Sequence, residues 1–230
     1  MAIDELERKL RPPEMALKPY PPKVITLADG EQMVVREAKR EEAGVLLGTV
    51  YPLLGVPKDY YDIVAARMYS EILGWFRYRV ANEFVIVGAI DGEIAGIVTS
   101  RHVHEKLGMS YHTLTIKRGL RVGAHLFAAK MEHHIEILGE EEVWIVAESP
   151  IGFKRWMIEY ELENRESQYP QVHHELGGVP THVLTRKLYD SVKSQKVTGT
   201  RPVPPLLLAS ADKLKMPNKY PQIPGFKRGS

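Results

Sequence analysis

The amino-acid sequence predicts a mixed α/β domain in which helices flank a mostly antiparallel central sheet, with an extended proline-rich arm at each end. Three observations favour this fold. Runs of strand-forming residues flank Asp29-Gly30 and Asp91-Gly92, and this dipeptide between apolar runs favours an antiparallel hairpin. Segments with apolar residues at helical spacing separate and follow the hairpins. A loop that contains Gly119 and Gly123 joins a short apolar run to one of these helices.

The predicted elements lie between two proline-rich segments. Residues 1–23 hold a short helix and then five prolines, which neither a helix nor a central strand tolerates, so they form an N-terminal arm. Residues 191–230 are polar and then carry six prolines, and they form a C-terminal arm. Between the arms we expect a hairpin around Asp29-Gly30, helices over residues 39–55 and 59–80, a hairpin of residues 84–90 and 93–100, a strand over residues 111–116 after a break at Gly108, a helix over residues 123–138, a strand over residues 142–147, a helix over residues 150–162, and a strand over residues 181–188 after a turn at residues 177–180.

Size and composition limit the classes of protein that this chain can be. Its 230 residues, 44% of them apolar and 26% charged, suffice for one domain with a substantial core. The 31 basic and 29 acidic residues leave a net charge of +2, which gives no strong reason to expect nucleic acid or a membrane as partner. Without cysteine the chain has no disulfide, no thiol nucleophile and no cysteine-bound zinc. Its acidic first residues are unlike a secretory signal, so we expect a cytoplasmic protein.

The glycine loop before the central helix has the features of an anion-binding site. The first backbone N–H groups of a helix have no intrahelical partner, and the helix dipole favours an anion beside them. Gly119 and Gly123 allow positive φ and a close approach of the backbone to a ligand. The loop differs from the dinucleotide pattern G-x-G-x-x-G because Arg121 stands where the second glycine would be, and the P-loop Gly-Lys-Ser/Thr is absent.

The segment Arg118-Gly119-Leu120-Arg121-Val122-Gly123-Ala124 and the predicted order β, α, α, β, β, β, α, β, α, β resemble one known superfamily. They are similar to the GCN5-related N-acetyltransferase (GNAT) superfamily, whose acyl-CoA motif reads Arg/Gln-x-x-Gly-x-Gly/Ala. Arg121 replaces the middle glycine. The resemblance covers residues 24–188 and implies an acyltransferase domain over residues 24–190. It also implies an N-acyltransferase that moves an acetyl group from acetyl-CoA to an amine.

The resemblance further implies how the co-substrate would be held. Backbone amides of residues 119–124 would bind the CoA pyrophosphate, and freed backbone groups of residues 114–116 would pair with the pantetheine arm. Arg121 has two interpretations: its guanidinium adds a donor to the CoA phosphates, or its Cβ strains the loop and narrows the cradle. The cofactor-binding residues implied are Leu114, Ile116, Arg118, Gly119, Leu120, Arg121, Val122, Gly123 and Ala124.

Acyl transfer to an amine needs one group that accepts a proton and one that returns it to the leaving thiolate. The superfamily often places a glutamate base on the strand before the loop, but no glutamate lies between Met109 and Ile116. His112 is therefore the first candidate base, and Glu148 after the next strand is the second. Tyr160 is the candidate acid. Alternatively, His112 is a core or surface histidine and Tyr160 is a packed aromatic residue.

Three further sequence patterns carry expectations about a metal site, an acceptor groove and a buried helix face. Residues 132–136, EHHIE, lack the H-E-x-x-H spacing of zinc sites, so no metal is expected there and a solvated helix face is predicted. Residues 59–62, DYYD, begin the second helix, and the resemblance implies that this region lines an acceptor groove and could bind the amine. The apolar face of that helix is predicted to comprise Ile63, Ala66, Met68, Ile72, Leu73 and Phe76.

The two arms support a second hypothesis of a different class. A catalytically inactive GNAT-like scaffold would bind protein partners, or other copies of itself, through residues 1–23 and 191–230. Segments with many prolines and little apolar content do not fold alone, so a partner would order them. A virus or phage particle component, in which arms wrap neighbouring subunits, would use them in this way. The acceptor amine is not identified by any of these patterns.

Overall fold

An eight-stranded sheet forms the centre of the molecule. The structure is a computed structural model that describes residues 3–11, 13, 15–146, 149–165 and 182–221. The strands are β1 (Lys23–Thr26), β2 (Gln32–Glu37), β3 (Glu83–Ile90), β4 (Glu93–His104), β5 (Leu107–Thr115), β6 (Glu142–Ile145), β7 (Glu163–Asn164) and β8 (His182–Thr185). Their order across the sheet is β1-β2-β3-β4-β5-β6-β8-β7, and neighbours are antiparallel except β5 and β6, which run parallel. The predicted mixed, mostly antiparallel sheet is confirmed.

Helices cover both faces of this sheet. Along β3, Val85 and Val87 pack in a core with residues of α2 and α3, whereas Phe84 and Ile86 pack in a core with Leu126 of α4. Successive residues of a strand point to opposite faces, so an unbroken apolar strand needs cover on both faces.

The helices are α1 (Ile3–Leu10), α2 (Ala43–Val50), α3 (Tyr61–Phe76), α4 (Val122–Glu132), α5 (Pro150–Gly152), α6 (Arg186–Lys196) and α7 (Pro205–Ala211). None of the described helices combines the length and the apolar character that a membrane crossing requires.

Several predicted elements are wrong in their limits. Gly108 does not interrupt the strand but lies inside β5. Glycine is needed at this position because a Cβ would collide with the Glu140 carboxylate and the His134 ring. The last predicted strand ends at Thr185, whose hydroxyl accepts a hydrogen bond from the amide of Leu188 and caps α6. Helices α6 and α7 were not predicted at all. The turn predicted at residues 177–180 lies outside the described residues.

The buried face of α3 also differs from the prediction. Ile63 and Leu73, which were expected in the core, are 44% and 37% exposed. The helix begins at Tyr61, after two residues with positive φ. Met68 and Ile72 are buried as predicted, whereas Ala66 is also exposed. The buried residues follow the helical period along one stripe, which consists of Tyr61, Ala65, Met68, Glu71, Ile72 and Trp75.

The solvated helix face predicted for residues 132–136 is wrong, because most of this segment is buried. The chain passes there from α4 into a π-helical turn, His133–Ile137, and Glu132, His133 and His134 are each at most 5% exposed. His134 Nδ1 is bonded to one oxygen of the Glu140 carboxylate, and His102 Nδ1 lies 2.6 Å from the other. Buried partners therefore satisfy the His134 ring, which looks solvent-facing in the sequence.

Glu132 connects both terminal segments to the central helix. Its Oε2 accepts hydrogen bonds from Tyr20 Oη (2.6 Å) and Lys23 Nζ (2.7 Å), and its Oε1 accepts one from Arg201 (2.9 Å). Burial raises the pKa of Glu132, but these three bonds outweigh burial and hold that pKa below its usual range. Val24 and Thr200 also exchange backbone hydrogen bonds. The predicted boundaries at residues 23 and 190 stay a prediction, although contacts cross both of them.

We expect Glu132→Gln to lower the free energy of unfolding by about 3 to 5 kcal/mol, because it leaves the buried Lys23 ammonium without a counter-ion. Arg201→Ala removes a more exposed partner and keeps the pair with Lys23, so a loss of about 1 kcal/mol is expected. Urea unfolding of both variants measures the difference. Equal losses would show that the Glu132 carboxylate is not the centre of this network.

Candidate functional site

Strands β5 and β6 separate in the middle of the sheet and leave a cleft between them. They pair from Leu107 with Glu142 to Ser110 with Ile145, and the amide of Val146 then donates to the carbonyl of Ser110 (3.1 Å). Beyond this point β5 continues to Thr115 beside β4, whereas β6 has ended. A cavity of about 290 Å³ occupies the opening, which is near the lower end of the range for small-molecule pockets.

The start of α4 forms one end of this cavity. The first amides of a helix have no intrahelical partner, so here they are available to a ligand. Gly119 has φ +88° and Arg121 has φ +59°, so the loop takes the left-handed conformation at the position where the GNAT motif has a glycine. A Cβ on Gly123 would collide with the Thr115 side chain, so glycine lets α4 begin close against β5.

Seven of the nine residues predicted to bind the co-substrate line the cavity. Of the other two, Ile116 is buried and its amide donates to the carbonyl of Ala95 (2.9 Å), and Leu120 packs against the core beneath α4. The binding roles of all nine stay predictions. The seven residues that line the cavity are Leu114, Arg118, Gly119, Arg121, Val122, Gly123 and Ala124.

His112, the candidate base, lies on the cavity wall and is held by a carboxylate from α3. Its Nδ1 is 2.7 Å from Glu71 Oε1, and both side chains are almost fully buried. Glu71 Oε2 accepts a hydrogen bond from Thr99 Oγ1 (2.5 Å). Sequence reasoning found His112 and missed Glu71. The signal was present, because Glu71 stands three residues after Met68, on the buried stripe of α3.

Tyr160, the candidate acid, is not among the described residues that line the cavity. Tyr160 is 5% exposed, and its ring packs edge to face on Phe127 at 5.2 Å. Burial raises the pKa of Tyr160 far above its usual range, which opposes ionisation. Glu148 lies outside the described residues. The acid role of Tyr160 stays a prediction, and its burial away from the described cavity wall does not favour that role. Two other tyrosines, Tyr61 and Tyr111, are among the described residues that line the cavity.

An ion pair lies at the edge of the cavity near the loop. Arg118 donates to Asp59 Oδ2 (2.9 Å), and its guanidinium carbon is 5.6 Å from the centre of the Tyr61 ring. Tyr61 Oη in turn donates to the carbonyl of Thr115 (2.8 Å). Asp59 and Tyr60 both have positive φ, a strained conformation for residues other than glycine. The amine-binding role predicted for residues 59–62 stays a prediction.

A buried lysine of α4 lies beside β5. Lys130 has no exposed surface, and its Nζ donates to the carbonyls of Tyr111 (3.3 Å), Thr99 (3.4 Å) and His112 (3.4 Å). Burial lowers the pKa of Lys130 to about 7, against the opposing effect of the Glu71 carboxylate. Both the ammonium and the neutral amine are therefore populated near neutral pH.

Comparison with known proteins identifies the fold. No family model matches the chain, and no curated protein sequence matches it. It is similar to a solved structure of an uncharacterized protein from Bacillus halodurans, with TM-score 0.52, 11% identity, and coverage of 77% of this chain and 96% of that one. A candidate acetyltransferase from T. thermophilus gives TM-score 0.50, 11% identity, and coverage of 79% and 97%.

A GNAT family acetyltransferase from Brucella melitensis, solved in complex with acetyl-CoA, is less similar. It gives TM-score 0.43, 9% identity, and coverage of 57% of this chain and 82% of that one. At such identities a likeness shows the fold alone. The chain has the fold of the two solved structures above, and the predicted GNAT-like fold is confirmed.

We expect Lys130→Met to stabilise the protein most below about pH 7, because the folded wild type must there hold a buried ammonium. Above that pH the unfolded wild type binds more protons than the folded form. Its free energy of unfolding therefore rises with pH, by at most about 1.4 kcal/mol per unit. The advantage of Lys130→Met should shrink accordingly in urea unfolding measured at increasing pH. Lys187→Met, at an exposed position, is the control, and a pH-independent advantage for Lys130→Met would contradict the prediction.

Proposed function

We propose that this protein is an acyl-CoA-dependent N-acyltransferase. The observation that carries the proposal is the cleft between β5 and β6, which has the start of α4 at one end and His112 on its wall. The resemblance to the GNAT motif supplies the identity of the ligand. No observation on the described residues favours the alternative scaffold role. The partner contacts predicted for the two arms stay a prediction.

The backbone provides most of the binding groups for an acyl-CoA in this cleft. The amides at the start of α4 receive the pyrophosphate, where helix dipole and free N–H groups act together. Arg118 and Arg121 line the same end and add positive charge for the phosphates. The edge of β5 from Tyr111 to Thr115, no longer covered by β6, pairs with the amide groups of the pantetheine arm. In the proposed complex the thioester lies along the part of the cavity wall that includes His112.

Proton transfer then follows from the position of His112. The acceptor ammonium loses one proton to solvent, and its nitrogen attacks the thioester carbonyl. The C–N bond forms as the C–S bond breaks. His112 takes the second proton from that nitrogen and returns it to the departing thiolate, so the same residue acts as base and then as acid. The products are an amide and CoA with a free thiol.

The proposal is tested first by titration calorimetry with acetyl-CoA. Binding should be measurable, and acetyl-CoA at 100 times its Kd should add about 2.7 kcal/mol to the free energy of unfolding. Acetyl transfer from acetyl-CoA to a panel of polyamines, amino acids and aminoglycosides is then followed by thiol release. Absence of binding at millimolar acetyl-CoA contradicts the proposal.

The same assay includes two histidine variants. His112→Gln should bind acetyl-CoA as the wild type does but lower the turnover by about 10²- to 10⁴-fold, because it removes only the proton acceptor. His104→Gln, at an exposed position of β4 outside the described cavity wall, is the matched control and should be unchanged. Equal turnover by His112→Gln and the wild type would remove His112 from the mechanism.

Two variants separate the interpretations of Arg121. Arg121→Gly should raise the free energy of unfolding by up to about 1 kcal/mol, because it relieves the positive φ, whereas Arg121→Ala keeps the Cβ and should not. We expect both variants to weaken acetyl-CoA binding by about tenfold or more, since each loses a charge-assisted donor at the cleft. Urea unfolding and calorimetry measure the two effects. Tighter binding by Arg121→Gly alone would instead show that the Cβ obstructs the cradle.

A further inference from the structure

We infer that Glu71 is a positioning residue that fixes the tautomer and the orientation of His112 for proton transfer. The inference rests on the proposed function, since it assigns a role to a carboxylate that the acyl transfer itself does not touch. Glu71 is on α3, 41 residues from His112 in the sequence. The two side chains meet beneath the cleft, where α3 packs against β5.

The short contact between the two side chains determines where the imidazole proton lies. His112 Nδ1 is 2.7 Å from Glu71 Oε1, and an ionised carboxylate accepts hydrogen bonds but donates none. The proton of the neutral ring must therefore be on Nδ1. Nε2 then carries the lone pair, so it is the nitrogen that takes a proton from the attacking amine.

Glu71 is itself held by a second strand of the sheet. Its Oε2 accepts a hydrogen bond from Thr99 Oγ1 (2.5 Å), and the same hydroxyl accepts one from the amide of His112 (3.2 Å). Thr99 lies where the pairing of β4 with β5 shifts register, between Val98 and Ser100. Bulges of this kind re-aim side chains beside active sites. Hydrogen bonds among groups of α3, β4 and β5 thus hold the ring in position.

The cost of burying Glu71 argues against a purely structural role. Its neighbours on the buried stripe of α3, Met68, Ile72 and Trp75, are apolar, and Glu71 is 2% exposed. Replacing a buried ionic contact by apolar side chains of similar size is often neutral or stabilising. The Lys130 ammonium on the α4 side is the cation whose charge the Glu71 carboxylate favours. The direct 2.7 Å contact of Glu71 Oε1, however, is with His112 Nδ1, so we assign the role of this carboxylate to that ring.

The tautomer can be read directly by long-range ¹⁵N–¹H NMR of the imidazole rings, at rising pH until the His112 ring is neutral. The wild type should show the proton on Nδ1. In Glu71→Gln the Thr99 hydroxyl should bind the new carbonyl oxygen, which turns the amide NH₂ toward His112 and moves the ring proton to Nε2. A wild-type proton on Nε2, or an unchanged proton on Nδ1 in the variant, overturns the inference. The wild-type spectrum decides alone if the variant does not fold.

Kinetics distinguish positioning from a general loss of structure. With an acceptor found in the amine panel, Glu71→Gln should lower kcat by about 10²- to 10⁴-fold. Its affinity for acetyl-CoA should stay within about twofold of the wild type, because the loop and β5 are unaltered. Glu105→Gln, at an exposed position in the turn between β4 and β5 and outside the described cavity wall, is the control and should change neither value. An unchanged kcat in Glu71→Gln overturns the inference, whereas failure of the wild type to bind acetyl-CoA overturns the proposed function and leaves the tautomer result interpretable.

Discussion

The parallel pairing of β5 with β6 ends after four positions, and the arrangement of the site depends on that limit. Buried backbone groups need hydrogen-bond partners, so a strand that continues past its neighbour must find them elsewhere. On β5 the carbonyls of Tyr111 and Thr115 accept from Lys130 and Tyr61, and the rest of this edge faces the cleft. The chain leaves β5 at Thr115 and enters α4 at Val122, so the free amides of the helix open onto the same space. One topological feature thus brings strand edge, helix start and His112 to a single cleft.

Buried charges on distant elements hold this arrangement in place. Three buried carboxylates are each bonded to one or two basic side chains. Glu71 contacts His112, Glu132 contacts Lys23 and Arg201, and Glu140 contacts His102 and His134. Such contacts add little net stability, but losing one partner is costly, so they favour one relative placement of helices and strands. The same physics that anchors the terminal segments at Glu132 therefore orients the imidazole at Glu71.

Local patterns predicted most of the fold and little of this network. The hairpin at Asp91-Gly92 follows from two adjacent residues, both of which take positive φ as the turn requires. The buried stripe of α3 and the burial of residues 132–134 depend on partners elsewhere in the chain, which no window of sequence contains. Gly108 shows the same limit: it reads as a break, but its reason is the close approach of His134 and Glu140.

Arg121 shows how a departure from a motif can preserve the geometry that the motif encodes. Its φ of +59° is the conformation that a glycine would take, so the loop keeps its shape although it has lost the residue that takes this shape without strain. The cost is roughly 1 to 2 kcal/mol, an amount that one charge-assisted hydrogen bond to a phosphate can offset. The sequence could predict the loop but not this conformation, because motif residues other than glycine rarely take a positive φ. Under the proposed function, the same substitution also puts a guanidinium on the cavity wall at the end where the phosphates would bind.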